Sequence, residues 1–344
     1  MEVKAQKCHE LLKKTLSPKL SYNDDCNYDE YKKQIREKFD ELLGINELRK
    51  DICPFGEKIL SEEDMGDYKR IHFTFNSEPG CTIPCYMLIP NGEKKKYPVV
   101  ITLSEHDKNG YSGLVGKGKS IEEAIELKKG GDIAVQAVKE GYVAIAMEQR
   151  AIGTLWSTEF NRGGHMCSFE AHVAEMLGRT LIGERAWDVS RLITLLVEFN
   201  KCDLEKIVVV GEGVGGAAAY YAACLDERIT LAVSYGGFGS YKDSIMNYYH
   251  CSCEYIPHAY EWFEMQDLAC LIAPRKLVVM TGKDDETTTV DGVKKAFHTV
   301  EKIYDRTDAV GNCRLVIANS KTKWQKEMVW PAVKEEFIKL GWSE

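Results

Sequence analysis

Residues 206–219 read Lys-Ile-Val-Val-Val-Gly-Glu-Gly-Val-Gly-Gly-Ala-Ala-Ala, and this stretch decides the fold. The β-branched run that starts at Ile207 is typical of a buried strand. The glycines after it predict a sharp turn, and the small residues that follow are compatible with a helix packed closely on a sheet. We therefore predict a strand, a tight turn and a helix, with Gly213 at the centre of the turn.

Strands and helices alternate on both sides of this stretch. We predict strands at 98–103, 142–147, 231–234, 276–280 and 314–318, and helices at 121–140, 178–199, 290–304 and 332–340. Such alternation favours a mostly parallel sheet with helices on both faces. Upstream, residues 70–75 and 82–89 alternate as an antiparallel hairpin, and residues 28–45 have the spacing of an amphipathic helix.

The chain divides into two parts on this interpretation. Residues 1–66 form an N-terminal helical extension, and residues 67–344 form the α/β domain. Within that domain, residues 151–173 are a long insertion, and the aromatic-rich residues 236–269 are a segment that covers a pocket like a lid.

Composition excludes several classes of partner. The net charge of −8 and the lack of a basic block argue against nucleic acid, and no apolar run has the length of a membrane span. The first residues lack the apolar core of a secretory signal, so we expect a cytoplasmic protein whose twelve cysteines are reduced. We expect a small-molecule ligand or substrate and no membrane contact, and homo-oligomers are possible.

Four stretches carry a family resemblance: Cys85–Pro90, Glu148–Gly153, Leu177–Asp188 and the turn around Gly213. Over residues 28–344 the chain resembles the acetyl-xylan-esterase and dienelactone-hydrolase-related branch of the α/β-hydrolases. The resemblance implies an α/β-hydrolase fold in which the turn is the nucleophile elbow, G-x-S-x-G. Gly213 stands at the serine position, so the usual nucleophile is absent.

The other catalytic positions match the family only in part. The resemblance implies Asp285, rather than Asp284, as the acid of the catalytic triad. The family's triad histidine follows the last strand, where this chain has Ser320, Lys321 and Thr322, and no histidine follows His298. We therefore predict a degenerate catalytic triad.

The loop that usually forms the oxyanion hole is also altered. The family motif H-G-H-G corresponds here to Ser104-Glu105-His106-Asp107, and carboxylates in this loop would repel a developing oxyanion. The backbone N–H of Val214 could still donate to one.

Several titratable residues are candidates for chemistry in the crevice. The candidate catalytic groups are His106, Glu212, Asp285 and Glu105, and the candidate binding groups are Val214, Ser104, Asp107, Glu148, Arg150, His165 and His172. Carboxylates that converge on one crevice raise one another's pKa, which suits acid/base work. The alternatives are that Glu148 pairs with Arg150 or another cation, and that Glu212 only supports the site.

Two short motifs contain possible metal ligands. They are His165-Met-Cys167, with His172 nearby, and His250-Cys251-Ser-Cys253. Neither spacing fits a usual zinc pattern, so we expect no metal and no other cofactor.

Three functions remain open on the sequence. The chain is an enzyme that uses cofactor-independent acid/base chemistry of hydrolase or lyase type on a small organic molecule, or a non-catalytic pseudo-hydrolase that binds a ligand or partner. The third alternative is a conventional carboxylic-ester hydrolase, which would need a serine such as Ser104 or Ser320.

Overall fold

A nine-stranded sheet is the centre of the molecule in the computed structural model, which describes residues 7–156, 166–319 and 324–342. The strands are β1 (Lys58–Asp64), β2 (Tyr68–Glu78), β3 (Cys81–Pro90), β4 (Tyr97–Leu103), β5 (Val143–Met147), β6 (Cys202–Glu212), β7 (Ile229–Tyr235), β8 (Lys276–Gly282) and β9 (Cys313–Ala318). Their order across the sheet is β1-β2-β3-β5-β4-β6-β7-β8-β9. Across the sheet in this order, the three neighbouring pairs from β1 to β5 are antiparallel, and the five pairs from β5 to β9, which include β4, are parallel. The predicted α/β-hydrolase fold is thus confirmed.

Helices cover both faces of the sheet. They are α1 (Lys7–Thr15), α2 (Tyr28–Leu42), α3 (Ile45–Leu48), α4 (Gly110–Leu114), α5 (Ile121–Leu127), α6 (Ile133–Lys139), α7 (Met166–Met176), α8 (Leu181–Leu195), α9 (Val214–Leu225), α10 (Ala259–Trp262), α11 (Val290–Asp305) and α12 (Lys326–Lys339). The central strands have buried side chains on both faces, as the β-branched runs predict.

The predicted helix over 121–140 is interrupted in the structure. The sequence predicts a single helix over 121–140, but the structure has α5 and α6 with a turn between them. The turn contains Gly130 and Gly131, whose backbone N–H groups both donate to Leu127 O. Because glycine has a high conformational entropy in the unfolded chain, two adjacent glycines favour an end to the helix.

The N-terminal extension includes a strand and a helix that contact the α/β domain. β1 lies within residues 1–66 and pairs with β2 at the edge of the sheet, and α2 buries Tyr31, Ile35 and Phe39 in the main core. The sequence analysis missed β1 because its side chains are almost all exposed, so that no buried alternation marks it. Among the helices of the described residues, none is long and apolar enough to cross a membrane.

Candidate active site

The turn between β6 and α9 has the backbone geometry of a strained elbow. Gly213 has φ +55° and ψ −122°, and its N–H donates to Tyr235 O at 2.8 Å. Residues with a Cβ pay a cost in this region, whereas glycine adopts it readily. Glycine at position 213 therefore allows this turn conformation and leaves no side chain at its centre.

Glu105 fills the space that this missing side chain leaves. A Cβ added to Gly213 would overlap Glu105 Oε2. The same oxygen accepts the backbone N–H of Val214 at 2.9 Å. The carboxylate of Glu105 therefore fills the position that the resemblance gives to the nucleophile. It also accepts a hydrogen bond from the N–H group that we predicted as an oxyanion donor.

The second oxygen of Glu105 holds His106. Glu105 Oε1 lies 2.6 Å from both the backbone N and the ring Nδ1 of His106. Burial raises the pKa of Glu105, but the hydrogen bonds from His106 and Val214 outweigh it and lower the pKa below its ordinary value. We expected neighbouring carboxylates to raise this pKa, and the opposite result follows from these donors.

A cavity of about 310 Å³ lies at the carboxyl ends of the central strands, beside this turn. It is lined by Glu105, His106, Glu212, Gly213, Val214, Gly236, Tyr249, His250, Cys251, Glu254, Asp285, Thr287 and Thr288. Open α/β sheets commonly place their ligand crevice at this edge. The structure thus brings together the four residues that the sequence analysis gave as catalytic candidates, and the lid segment 236–269 supplies part of the wall.

Backbone N–H groups hold two of these carboxylates, Asp285 in the loop after β8 and Glu212 at the end of β6. Asp285 Oδ1 accepts the backbone N–H groups of Thr287 at 2.9 Å and Thr288 at 2.7 Å. Glu212 Oε1 accepts the N–H of Trp324 at 2.8 Å, which ties the turn to the start of the C-terminal segment. Both side chains are therefore held at the cavity wall by the backbone of neighbouring loops.

His250 is a cavity residue that the sequence analysis named only as part of a metal-like motif. Its Nε2 lies 3.1 Å from Ser244 Oγ, and its Nδ1 lies 3.5 Å from Glu254 Oε2. Burial lowers the pKa of His250, but Glu254 outweighs it and raises the pKa above the ordinary value. No spacing in the sequence could locate His250, because it lies in a lid segment with little regular structure.

Glu148 and Arg150 are not among the residues that line this cavity. Glu148 accepts the backbone N–H groups of Tyr111 at 3.2 Å and Thr154 at 2.8 Å, and burial raises its pKa to about 7. It does not pair with Arg150, which instead binds both oxygens of Asp188 and lies 2.5 Å from Glu78. Both residues brace loops behind the site.

The remaining candidate binding residues are also dispersed. Ser104 is buried and is not among the cavity residues, and Asp107 accepts the N–H of Asn109 within its own loop. His172 is exposed on α7, 3.3 Å from Glu175. His165, Ser320, Lys321 and Thr322 lie outside the described residues.

Three cysteines lie against the far side of the His106 ring. The ligand atoms of His106, Cys167, Cys251 and Cys253 all lie within 4.8 Å of one another, and we call these residues the Cys₃His cluster. Hydrogen bonds from the other two thiols lower the pKa of Cys251. These donors are ones that could hold a metal ion, although they come from distant parts of the sequence.

Solved structures with the same fold cover nearly the whole chain. A "putative acetyl xylan esterase" from Bacteroides fragilis NCTC 9343 is 16% identical with a TM-score of 0.81, and the match covers 98% of this chain and 95% of that one. A glucuronoyl esterase from Solibacter usitatus is 15% identical with a TM-score of 0.66, covering 96% of this chain and 98% of that one. At these identities the likeness concerns the fold.

Sequence comparison gives the family. The "Putative hydrolase YtaP" of Bacillus subtilis (strain 168) is 22% identical over 237 residues, which are 68% of this chain and 75% of that protein. The profile of the Abhydrolase family matches residues 4–327. Because that match spans nearly all of the sequence, the chain belongs to the Abhydrolase family.

Proposed function

We propose that this protein is an enzyme of hydrolase type that acts on a small organic molecule by acid/base chemistry, without a covalent serine intermediate. The observation that carries the proposal is the position of Glu105. Its carboxylate lies where a serine side chain would stand and accepts the N–H of Val214. A serine route needs both the hydroxyl and that donor, so it is closed while Glu105 stays in place.

The groups around the cavity supply a different route. Asp285 and Glu212 present carboxylates, and His250 presents an imidazole, at the wall of one cavity. In hydrolysis of an ester, a carboxylate would take a proton from water, the resulting hydroxide would attack the carbonyl carbon, and His250 would return a proton to the leaving alcohol. The protons balance, because the carboxylate passes its proton to solvent and His250 regains one.

The charge of the cavity narrows the class of substrate. Glu105, Glu212, Glu254 and Asp285 all line it, so an anionic molecule would be repelled. A volume of about 310 Å³ suits a small molecule. Neutral or cationic substrates are therefore favoured, and the names of the structural relatives suggest acetylated sugars and neutral sugar esters as the first compounds to assay.

The experiment is a turnover screen of such compounds by mass spectrometry, followed by variants. Asp285→Asn and His250→Gln should each lower kcat by about 10²-fold or more, because each removes a proton-transfer group. His172→Gln is the matched control, since His172 is exposed and is not a cavity residue. Unchanged turnover in both cavity variants, or a covalent adduct on a serine, would contradict the proposal.

A second candidate function is ligand binding without turnover. The observation that favours it is that both oxygens of Glu105 are already hydrogen-bonded, by His106 and by Val214. A compound that raises the melting temperature of the wild-type protein and is recovered chemically unchanged would support this alternative.

A further inference from the structure

The Cys₃His cluster joins three separate segments of the chain. His106 lies in the loop after β4, Cys167 in the first turn of α7, and Cys251 and Cys253 in the lid segment. His106 Nε2 lies 3.2 Å from Cys253 Sγ and 3.5 Å from Cys167 Sγ. We propose that His106, Cys167, Cys251 and Cys253 bind one zinc ion.

These distances are close to those of a tetrahedral zinc site. Zinc binds cysteine sulfur at about 2.3 Å and histidine nitrogen at about 2.0 Å, which places a sulfur and a nitrogen ligand roughly 3.6 Å apart and two sulfurs roughly 3.8 Å apart. The four ligand atoms of the cluster already lie within 4.8 Å of one another. Small rotations of the side chains would therefore complete the tetrahedron.

The carboxylate of Glu105 gives the His106 ring the orientation that a ligand needs. Glu105 Oε1 lies 2.6 Å from Nδ1, so Nδ1 carries the proton and Nε2 presents its lone pair to the sulfurs. Histidines that bind metals usually donate their other ring N–H to a carboxylate or carbonyl in this way. Glu105 is thus a positioning residue of the proposed site.

Arg185 is a second, independent indication of negative charge at the cluster. Its side chain is fully buried, and it donates to Cys253 Sγ at 3.3 Å, to Cys167 Sγ at 3.1 Å and to the carbonyl oxygen of Arg150. Over the residues that the structure describes, no carboxylate forms an ion pair with Arg185. A buried cation needs a counter-charge. Three thiolates and one zinc ion have a net charge of −1, which the guanidinium would offset.

A disulfide accounts for the cluster less well. All of the cysteines are free thiols in the structure, and a bond between any two of the three would leave the third beside His106 and Arg185 without a role. A zinc ion would be bound by all four donors. The two hydrogen bonds that Arg185 donates to Cys167 and Cys253 would then stabilise the metal-bound thiolates. Because the protein fills four positions, the site is of the closed, structural type and would fasten the insertion and the lid to the loop that carries Glu105.

This inference reverses our sequence-based expectation of no metal, and it does not depend on the proposed function. The expectation came from spacing alone. Only Cys251 and Cys253 are close in the sequence. Cys167 is 61 positions after His106 and 84 positions before Cys251. Folding, and not a local motif, brings the donors together.

The direct test measures metal in the wild-type protein. The full chain is purified without chelators, dialysed, and analysed by elemental mass spectrometry, and we expect one zinc ion per chain. Replacement by Co²⁺ should give the intense visible bands of a tetrahedral ion and a thiolate-to-cobalt charge-transfer band. Failure to retain zinc or take up Co²⁺, a spectrum without the thiolate band, or an intact mass that shows a disulfide among these cysteines would overturn the proposal.

Variants then assign the ligands. Cys167→Ser, Cys251→Ser and His106→Ala should each lose most of the zinc, while Cys53→Ser should retain it, because Cys53 is a partly exposed thiol outside the cluster. Full zinc retention in all three ligand variants would contradict the assignment. If a variant does not fold, the cobalt spectrum of the wild-type protein still decides.

Discussion

The carboxylate of Glu105 occupies the space that a side chain on Gly213 would need, so a residue larger than glycine at position 213 requires this carboxylate to move. The same carboxylate oxygen is hydrogen-bonded to Val214 N. The glycine at position 213 and the carboxylate at position 105 are therefore neighbours in the structure, although they are distant in the sequence.

Gly213→Ser should destabilise the protein by roughly 2.5–6 kcal/mol. Backbone strain at a positive φ contributes about 1–3 kcal/mol, and displacement of the Glu105 carboxylate from Val214 N contributes about 1.5–3 kcal/mol. In a Glu105→Ala background the same substitution should cost less, because the space is already open. Urea unfolding of the two single variants and the double variant, all in zinc-containing buffer, measures this coupling. Additive effects would show that the two residues do not compete. We expect none of these three variants to become an efficient esterase, since the sequence predicts no triad histidine after the last strand.

A fluorophosphonate probe should not label the wild-type protein. Ser104 is buried, and the N–H of Val214 that would stabilise the adduct is bonded to Glu105. Intact-mass analysis after incubation checks this, with an active serine hydrolase as the positive control. A covalent adduct on Ser104 or Ser320 would instead revive the conventional esterase.

Asp188→Asn should cost about 1.5–3 kcal/mol of the free energy of unfolding. Asp188 is fully buried and binds the Arg150 guanidinium through both oxygens, whereas an asparagine could accept only one of these two charge-assisted hydrogen bonds. Glu78 and Glu184 would still pair with Arg150, so the guanidinium would keep counter-ions. Lys50→Ala, which breaks an exposed pair with Glu47, is the control and should change stability by less than about 1 kcal/mol. Similar losses in both variants would show that burial does not decide the strength of these pairs.

Stability should fall as the pH rises from about 5 to 8. Burial raises the pKa of Glu148 and Glu264 to about 7 and that of Asp267 to about 6. The folded protein therefore keeps these protons to a higher pH than the unfolded chain, so their stabilising contribution is complete below about pH 4 and is lost as the pH rises through 6–7.

Glu264→Gln tests this pH dependence at one residue. The pKa of Glu264 rises from 4.5 to about 7. This shift corresponds to a loss of about 3 kcal/mol of the free energy of unfolding as the pH rises from below about 4 to above about 7. The variant should make the plot of urea midpoint against pH shallower, whereas the exposed Glu41→Gln should leave it unchanged. Equal slopes for the wild-type protein and Glu264→Gln would contradict the assignment.

The sequence predicted the fold well because the signals are local. The β-branched run from Ile207 and the glycines after it determine a strand, a turn and a helix within one short segment, and the hairpin around Pro79 and Gly80 is similarly local. Predictions failed where the pattern was weak. β1 is largely exposed and so lacks a buried face, and two glycines interrupt a helix whose apolar spacing continues past them.

The site was harder to predict because it depends on contacts across the chain. The position of Gly213, the loop of Glu105 and the cavity wall at Asp285 follow from strand order, and the structure places all three together. The contact of Glu105 with Val214 N, the role of Arg185 and the approach of Cys167 to His106 depend on side-chain directions in separate loops. No spacing in a single sequence encodes those directions.

The overlap between a side chain at position 213 and the Glu105 carboxylate also bears on the order in which the two positions changed during evolution. A forebear with a serine at the elbow could not have held a carboxylate against the N–H of Val214, so the serine was lost first or Glu105 then pointed elsewhere. A return of the serine would require the Glu105 carboxylate to be displaced as well. Among present-day relatives, a glycine at the elbow should accompany a carboxylate in the loop after the fourth strand, and a serine at the elbow should exclude one in this position.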